Sequence, residues 1–585
     1  MIPGLSGSLL SHDALSSGSG LPPAIENARA GAVRGRLRAW QRATLRDLGP
    51  ACNARTLYDR VAVPLLSELG FGLRLIGGDT GEVLRAVLHA GGSPAAAVLV
   101  TAWGVEPARA WRDAVWLGIG SSVRWCLCIN GRVVRVMDAR RTYSRRFLEF
   151  DMAATIEDAT GFAVFWQLLS ADAVLRVPRP MLDEAVRMTE QHRSAVRSCL
   201  QRGVHDALER LVSAFARVRG RRGDLPVSAY FDESLIVVYR ILFLLFAEAR
   251  GLVPKWHPTY QRSYTIESLR LAIELQSRPP GVWETLQAIS RLAHRGCRAG
   301  SLRVVPFNGR LFSPADAPLA DSVMLDDGAV REVLLALTTR ADRAGRQRIA
   351  YADLGVEQLG GVYERLLDYQ PVWVDRQRAA LTLAPAGRRK AAGAFYTPRS
   401  LTEYLVRRTL GPLVREASAD RILSLRVLDP AMGSGAFLVA ACRYLARAYE
   451  DALVSEGRAV PGDLTEPERA GFRRLVAERC LFGVDINPTA VQLGRLSLWL
   501  ATMSADRPLT FLDHHLRAGN SLSGATLADV ARQPPSARGS AGRAARLPLF
   551  EGDAADRAIG ETISTRLSIA TGPGDTLEQV RAKER

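Results

Sequence analysis

The sequence predicts a multidomain α/β protein, and three observations lead to this class. The chain has 585 residues, which is more than a single hydrophobic core usually organises. Its 47% hydrophobic and 23% charged residues are ordinary for a globular protein. Segments with strand-like alternation also stand beside segments with helical spacing, and at 427–445 a strand-like run turns on two glycines into a helix-like run.

The charge balance favours a polyanionic partner. The chain carries 77 Lys and Arg against 60 Asp and Glu, a formal net charge of +17. Such a surplus predicts attraction to nucleic acid first. Arginine dominates over lysine, a bias that a GC-rich genome also produces, so the charge alone leaves a merely solvated basic surface open.

Compartment and membrane signals point to the cytoplasm. The seven cysteines are scattered and odd in number, which predicts no disulfide framework and a reducing environment. No basic start followed by an apolar stretch indicates a signal peptide. The most apolar run, 235–247, is interrupted by Arg240 and is shorter than the roughly 18 residues of a membrane span. We therefore expect a cytoplasmic protein without a membrane partner.

Composition and periodicity divide the chain into five parts. The first is rich in Ser, Gly and Pro and is expected to be disordered. The second mixes helix and strand patterns, with a turn at Asn130-Gly131. The third is mainly helical, the fourth holds the glycine turn, and the last loses its pattern before an incomplete helix. The predicted bounds are 1–30, 31–165, 166–385, 386–523 and 524–585.

The glycine turn "VLDPAMGSGAFL" at 427–438 predicts a cofactor site. A dinucleotide fingerprint requires a third small residue where Leu438 stands. A triphosphate loop requires a Gly-Lys-Ser/Thr that does not follow. These mismatches disfavour both ligands and leave a nucleoside cofactor without a pyrophosphate. Such a site needs an acid at the tip of the next strand to bind the ribose hydroxyls, and Asp485 in "CLFGVDINP" supplies it, before a helix that Asn487 caps and Pro488 opens.

Three motifs then occur in order: "GAFYTP", "VLDPAMGSGAFL" and "FGVDINPTAVQLGRLSLWL". Together they resemble the amino-methyltransferases that modify DNA adenine, and more narrowly the methylase part of type IIG restriction-modification enzymes and antiphage methylases. The segments "VVYRILFLLFAEARGLVP", "VPFNGRLF" and "LGGVYERLLDY" are similar to the helical region of that group. The resemblance implies a C-terminal, partial Rossmann-like domain that binds S-adenosyl-L-methionine, a helical middle region and double-stranded DNA as substrate.

The resemblance also implies the roles of individual residues. Four of them would cradle the methionine end of the cofactor: Phe395, Tyr396, Thr397 and Pro398. Five would form the turn beneath it, with the acid near the cofactor amino group: Asp429, Pro430, Gly433, Ser434 and Gly435. Asp485 would bind the ribose, Ile486 would pack on the adenine, and Asn520 would contact the adenine unless it is a plain turn residue.

The catalytic motif of that family, Asn/Asp-Pro-Pro-aromatic, is absent, so no catalytic residue is assigned. "QPPS" at 533–536 lacks the aromatic residue and a strand before it. The charged run at 577–585 resembles helices that precede the catalytic motif in the family. We expect a second polypeptide to complete the domain, or the gene to be interrupted, and this chain alone to be inactive. The alternative is a non-catalytic DNA-binding or assembly subunit that keeps the methyltransferase fold.

The N-terminal region resembles the nuclease domain of type IIG enzymes, whose D…E-x-K core holds a metal ion. Asp79 is the candidate for the first acid, but Leu99, Val100 and Thr101 occupy the E-x-K position. We expect a degenerate nuclease-like α/β domain without metal, with an unrelated α/β domain as the alternative. Four arginines are candidates for phosphate contacts unless they form a solvated loop: Arg140, Arg141, Arg145 and Arg146.

Overall fold

The computed structural model forms two compact units, Met1–Ala195 and Val196–Arg585, each of mixed α/β structure. It describes residues 2–11, 28–44, 47–76, 83–105, 107, 110–140, 146–219, 225–275, 280–306, 310–342, 345–351, 369–375, 378–383, 397–460, 464–503, 512–523, 560–562, 564, 565, 568, 569, 572 and 576–584. The division between the units falls inside one long helix. The finer domain bounds given above stay predictions.

The first unit is built around one mixed sheet. Its strands are β1 (Leu5–Gly7), β2 (Gly72–Leu75), β3 (Val83–Ala90), β4 (Ser93–Thr101), β5 (Trp125–Ile129), β6 (Val133–Asp138) and β7 (Phe147–Asp151). They lie in the order β1-β7-β6-β5-β4-β3-β2, and every pair is antiparallel except β4 with β5. Its helices are α1 (Ala28–Thr44), α2 (Ala54–Leu57), α3 (Val63–Glu68), α4 (Trp111–Gly120), α5 (Met152–Glu157), α6 (Ala159–Leu169) and α7 (Ala171–Val174), with a π-helical turn at Tyr58–Ala62.

Both faces of this sheet are covered. On β4, Val98 and Val100 pack into one core, while Leu99 packs into a second core with α4, as strand alternation requires. The predicted turn between β5 and β6 is confirmed. The side-chain oxygen of Asn130 accepts the N–H of Val133 at 2.9 Å, and Gly131 has φ of +83°.

The nuclease-like ancestry of this unit stays a prediction. Leu99 and Thr101, at the position of the missing E-x-K, are both buried, and Asp79 lies outside the described residues. Within the described part of the chain, no three acidic, histidine or cysteine side chains come together to form a metal site. Arg140 is exposed; of the other three candidate arginines only Arg146 is among the described residues.

The second unit begins within α8 (Met181–Arg219), which the division crosses. Its further helices are α9 (Val227–Ala249), α10 (Pro258–Ser263), α11 (Ile266–Leu275), α12 (Val282–Arg295), α13 (Pro318–Ser322), α14 (Asp327–Thr338), α15 (Arg399–Val414), α16 (Ala419–Ser424), α17 (Ala436–Ser455), α18 (Glu466–Cys480), α19 (Pro488–Thr502) and α20 (Leu577–Glu584), with a 3₁₀ turn at Arg310–Phe312. Its hairpins are β8 (Cys297–Ala299) with β9 (Leu302–Val304), β10 (Thr339–Asp342) with β11 (Gly345–Arg348), and β12 (Tyr369–Trp373) with β13 (Ala379–Leu383).

Helix α9 organises the helical part of this unit through three buried charged side chains. Glu233 accepts the N–H groups of Leu319 and Ala320 at the start of α13. Arg240 pairs with Asp321 at 3.2 Å, and the carboxylate of Glu248 caps the start of α11. These bonds explain how the apolar run tolerates its arginine. Of the helices in the described residues, none combines the length and apolarity that a membrane crossing would need.

A small parallel sheet positions the candidate site. It contains β14 (Val427–Asp429), β15 (Leu481–Asp485) and β16 (Leu516–Ala518), in that order. One face is packed by α17 and α19, where Leu481 and Leu516 are fully buried. The predicted strand end at Asp485 and helix start at Pro488 are both as the structure has them.

Candidate functional site

Two carboxylates end two neighbouring parallel strands. Asp429 is the last residue of β14 and Asp485 the last residue of β15. Because the carboxyl ends of parallel strands meet at one edge of a sheet, the two side chains share one crevice. Their charges act on each other, since the negative charge of Asp485 contributes to raising the pKa of Asp429.

The glycine turn joins β14 to α17 and is fastened to the tip of β15. Gly433 and Gly435 have φ of +52° and +81°, conformations that favour glycine. The Gly433 N–H donates to Oδ2 of Asp485 at 2.9 Å, and the Met432 N–H donates to the carbonyl of Val484 at 3.0 Å. The turn is therefore held by the neighbouring strand.

Asp429 offers an acceptor to a ligand. Its Oδ1 accepts the N–H of Ala431 at 3.1 Å, whereas its Oδ2 is buried and accepts no hydrogen bond among the described residues. Burial raises the pKa of this carboxyl, Asp485 adds to the rise, and the Ala431 N–H opposes it. A buried acceptor of this kind is costly unless a donor reaches it. A ligand with a positively charged amino group would satisfy it.

Asp485 supports the turn and is still able to bind a ligand. Its Oδ2 is engaged by Gly433 and its Oδ1 accepts the N–H of Asn487 at 2.9 Å. Each oxygen keeps a second lone pair, and the side chain is half-buried. The next residue, Ile486, is 62% exposed, which leaves an apolar surface beside the crevice.

The remaining predicted residues differ in how they are placed. Ser434 is buried within the turn and Pro430 is exposed. Thr397 and Pro398 immediately precede α15, while Phe395 and Tyr396 lie outside the described residues. Asn520 is exposed, and its Oδ1 accepts the N–H groups of Leu522 and Ser523, as a turn residue does.

Two residues of α19 shape the site and were not predicted from the sequence. Gly494 lets the turn approach closely, since a Cβ on Gly435 would lie 3.2 Å from the Cα of Gly494. Arg495 donates to the carbonyl of Leu516 at 2.8 Å and pairs with Asp513 at 2.8 Å, so it fixes the approach to β16. The only sequence signal for either is the small residue within "QLGRLSLWL".

A parallel sheet with a glycine turn and two acidic strand tips defines a nucleoside-binding α/β domain of the Rossmann type. Residues 381–528 match the family model described as N-6 DNA Methylase. The chain therefore carries a domain of the N-6 DNA methylase family, and the resemblance indicated by the three motifs is confirmed.

Curated relatives agree with this family. A protein of Methanocaldococcus jannaschii, named as a type II restriction enzyme and methyltransferase, is 25% identical over 348 residues, which cover 50% of this chain and 27% of that protein. The adenine-specific methyltransferase PglX of Streptomyces coelicolor is 35% identical over 143 residues, or 23% of this chain and 10% of that protein. The chain thus matches only about a quarter and a tenth of the lengths of these relatives.

Solved structures with some likeness come from restriction-modification enzymes. The type IIL enzyme MmeI in complex with DNA has 17% identity and a TM-score of 0.33, over 51% of this chain and 36% of that one. The type IIG restriction endonuclease BpuSI has 12% identity and a TM-score of 0.24, over 79% of this chain and 42% of that one. Scores this low support no argument about the fold.

Proposed function

We propose that this chain is the S-adenosylmethionine-binding portion of a DNA adenine methyltransferase that acts in restriction-modification or phage defence in the cytoplasm. Its family is that of N-6 DNA methylases. The catalytic Asn/Asp-Pro-Pro-aromatic motif, which the 585 residues do not contain, comes from a second polypeptide. The substrate is double-stranded DNA, from which the adenine is swung out of the helix at a cost of a few kcal/mol.

One observation carries the cofactor assignment. Oδ2 of Asp429 is buried, accepts no hydrogen bond among the described residues, and shares its crevice with Asp485. The ammonium group of S-adenosylmethionine is a donor of the right charge for this acceptor. The chemistry of the donor set therefore fits this cofactor.

The other roles follow the shape of the crevice. The second lone pairs of the Asp485 oxygens accept the ribose hydroxyls, and the exposed Ile486 packs on the adenine. The turn of Pro430, Gly433, Ser434 and Gly435 lies under the cofactor; Phe395, Tyr396, Thr397 and Pro398 hold its methionine end. Asn520 contacts the adenine through Nδ2, since its Oδ1 is used in its own turn. When bound, the cofactor supplies an electrophilic methyl group.

Isothermal titration calorimetry with S-adenosylmethionine tests the cofactor assignment. The Asp429→Asn variant removes the charge that faces the ammonium group, and the loss of a charged hydrogen bond predicts roughly 10- to 100-fold weaker binding. Asp420→Asn, on the exposed surface of α16, is the matched control and should bind as the parent does. Equal affinities of the parent and Asp429→Asn would overturn the assignment.

A methyl-transfer assay on plasmid DNA tests the need for a second polypeptide. We expect no transfer of labelled methyl by the purified chain, and transfer after addition of a polypeptide with the Asn/Asp-Pro-Pro-aromatic motif. Transfer by the chain alone would refute the split enzyme. Binding of DNA without transfer in any combination would favour the non-catalytic assembly subunit.

A further inference from the structure

The parallel sheet of the candidate site is covered on one side only. Its packed face holds Leu481, Gly483 and Leu516, and a Cβ on Gly483 would lie 2.3 Å from Sδ of Met432 and 2.8 Å from Cδ1 of Leu438. On the opposite face Leu428 is 61% exposed. All-parallel sheets are otherwise buried on both faces. The exposed face therefore lacks a packing layer in the described residues.

The exposed face is apolar where β14 and β15 meet. Leu428 stands in register with Phe482, and the Phe482 ring stacks on His515 with centroids 4.2 Å apart. Both side chains project from the same face because paired positions of neighbouring strands do so. Together they offer an apolar strip at the end of the sheet, a surface that usually marks an interaction site.

The same end of the sheet also has an open edge. In the described residues β14 pairs only with β15, so its other edge has no strand partner. An edge strand is a ready template for a strand from another polypeptide. The open edge and the exposed face adjoin at Leu428.

The direction of β14 decides what an added strand would deliver. Asp429 lies at its carboxyl end. A strand that adds parallel to β14 would end beside Asp429, and the residues that follow it would enter the cofactor crevice. A loop that follows such a strand reaches the site, whereas an antiparallel addition would direct the loop to the far end of the sheet.

We infer that β14 and the strip of Leu428 and Phe482 form the docking surface for a strand of the second polypeptide, which adds parallel to β14 and is followed by the catalytic motif. This inference rests on the proposed function. The 585 residues contain no Asn/Asp-Pro-Pro-aromatic sequence, so the strand that delivers this motif belongs to another polypeptide. Apolar side chains on the strand cover Leu428 and Phe482.

Leu428→Asp tests the docking surface with the full chain and the product of the adjacent reading frame as the probe. Leu428 is largely exposed, so the variant should fold and should keep the parent's affinity for S-adenosylmethionine in calorimetry. We expect the complex with the probe, measured by size-exclusion chromatography and titration, to weaken at least tenfold. Leu275→Asp, at an 85% exposed leucine of α11, should leave the complex unchanged.

Hydrogen exchange gives a second measurement on the parent chain. The probe should slow exchange of the β14 amides at least tenfold relative to the chain alone. A probe without the tetrapeptide, a probe that does not bind, or equal binding by Leu428→Asp would each overturn the inference. So would a chain that dimerises through Leu428, since the occupant would then be a second copy. Failure to bind S-adenosylmethionine with an intact, Leu428-dependent complex would instead remove the proposed function.

Discussion

The carboxylate of Asp485 accepts a hydrogen bond from the backbone N–H of Gly433 at 2.9 Å, across 52 positions of sequence. This bond joins the tip of β15 to the turn that follows β14. A hydrogen bond to a charged group contributes about 1.5–3 kcal/mol, so Asp485 stabilises the shape of the turn as well as being the candidate ligand of the ribose. A substitution at this position therefore alters both halves of the candidate site.

The two turn glycines should differ in their tolerance of alanine. Gly433→Ala meets no atom within 4 Å and carries only the backbone penalty of φ +52°, about 1–2 kcal/mol. Gly435→Ala carries a similar penalty at φ +81° and also crowds the Cα of Gly494 at 3.2 Å. We expect Gly435→Ala to lose at least about 1 kcal/mol more, measured by urea unfolding.

Gly457→Ala is the control for this comparison. Its φ is +70° and its added Cβ would have no neighbour within 4 Å, but it follows the far end of α17. It should lose stability as Gly433→Ala does and bind S-adenosylmethionine normally. Equal losses at Gly433 and Gly435 would show that the close contact with Gly494 has no energetic effect.

Local signals in the sequence predicted the core of the candidate site. The strand pattern, the two glycines and the cap at Asn487 with Pro488 involve residues close together in sequence, and they gave β15 to within one residue. The adjacency of Asp429 and Asp485 followed from a general property of parallel strands. The cofactor roles themselves stay predictions.

Long-range packing could not be predicted from the sequence. Gly494 matters only because α19 crosses the turn at close range, and Arg495 only because its partners lie near β16. The exposure of Leu428 depends on which elements cover the sheet, which the pattern "VLD" does not specify. Nor does the run 235–247 show which carbonyls and carboxylate receive Arg240.

The affinity for S-adenosylmethionine should depend on pH through Asp429. Burial, with a further contribution from Asp485, raises the pKa of this carboxyl above its usual range. The ionised form binds the ammonium group, so affinity should fall as pH is lowered through this raised pKa. Calorimetry at several pH values should show the decline for the parent and for Asp420→Asn. A profile for Asp429→Asn as steep as the parent's would assign the titration to another group.

The buried ion pair of Arg240 and Asp321 should be essential for folding of the helical part. Their side chains are 4% and 14% exposed, and Arg240 also donates to the carbonyls of Leu311 and Ser313. Arg240→Ala leaves a buried carboxylate unpaired, which costs about 3–5 kcal/mol. Arg331→Ala breaks a more exposed pair with Glu332 and should cost about 1 kcal/mol or less. Urea unfolding of both variants checks this; similar losses would contradict it.

Glu248 should make the stability of the chain fall as pH rises. It is 4% exposed, and burial raises its pKa to about 7, although the N–H groups of Ile266 and Glu267 and the charge of Lys255 oppose the rise. Because the folded pKa lies above the usual 4.5, stability is greatest below pH 4.5 and is lost as pH rises through 7. A shift of this size corresponds to roughly 3 kcal/mol.

Urea unfolding of the parent and of Glu248→Gln at pH 5 and pH 8 measures this loss. The parent should lose free energy of unfolding between the two values, and Glu248→Gln should lose much less, because its amide does not ionise. The neighbouring Glu267 and Tyr260 are unchanged in the variant, so any slope they cause persists. Glu284→Gln, on the exposed face of α12, should keep the parent's slope. An equal slope in Glu248→Gln would show that Glu248 ionises without cost in the folded chain.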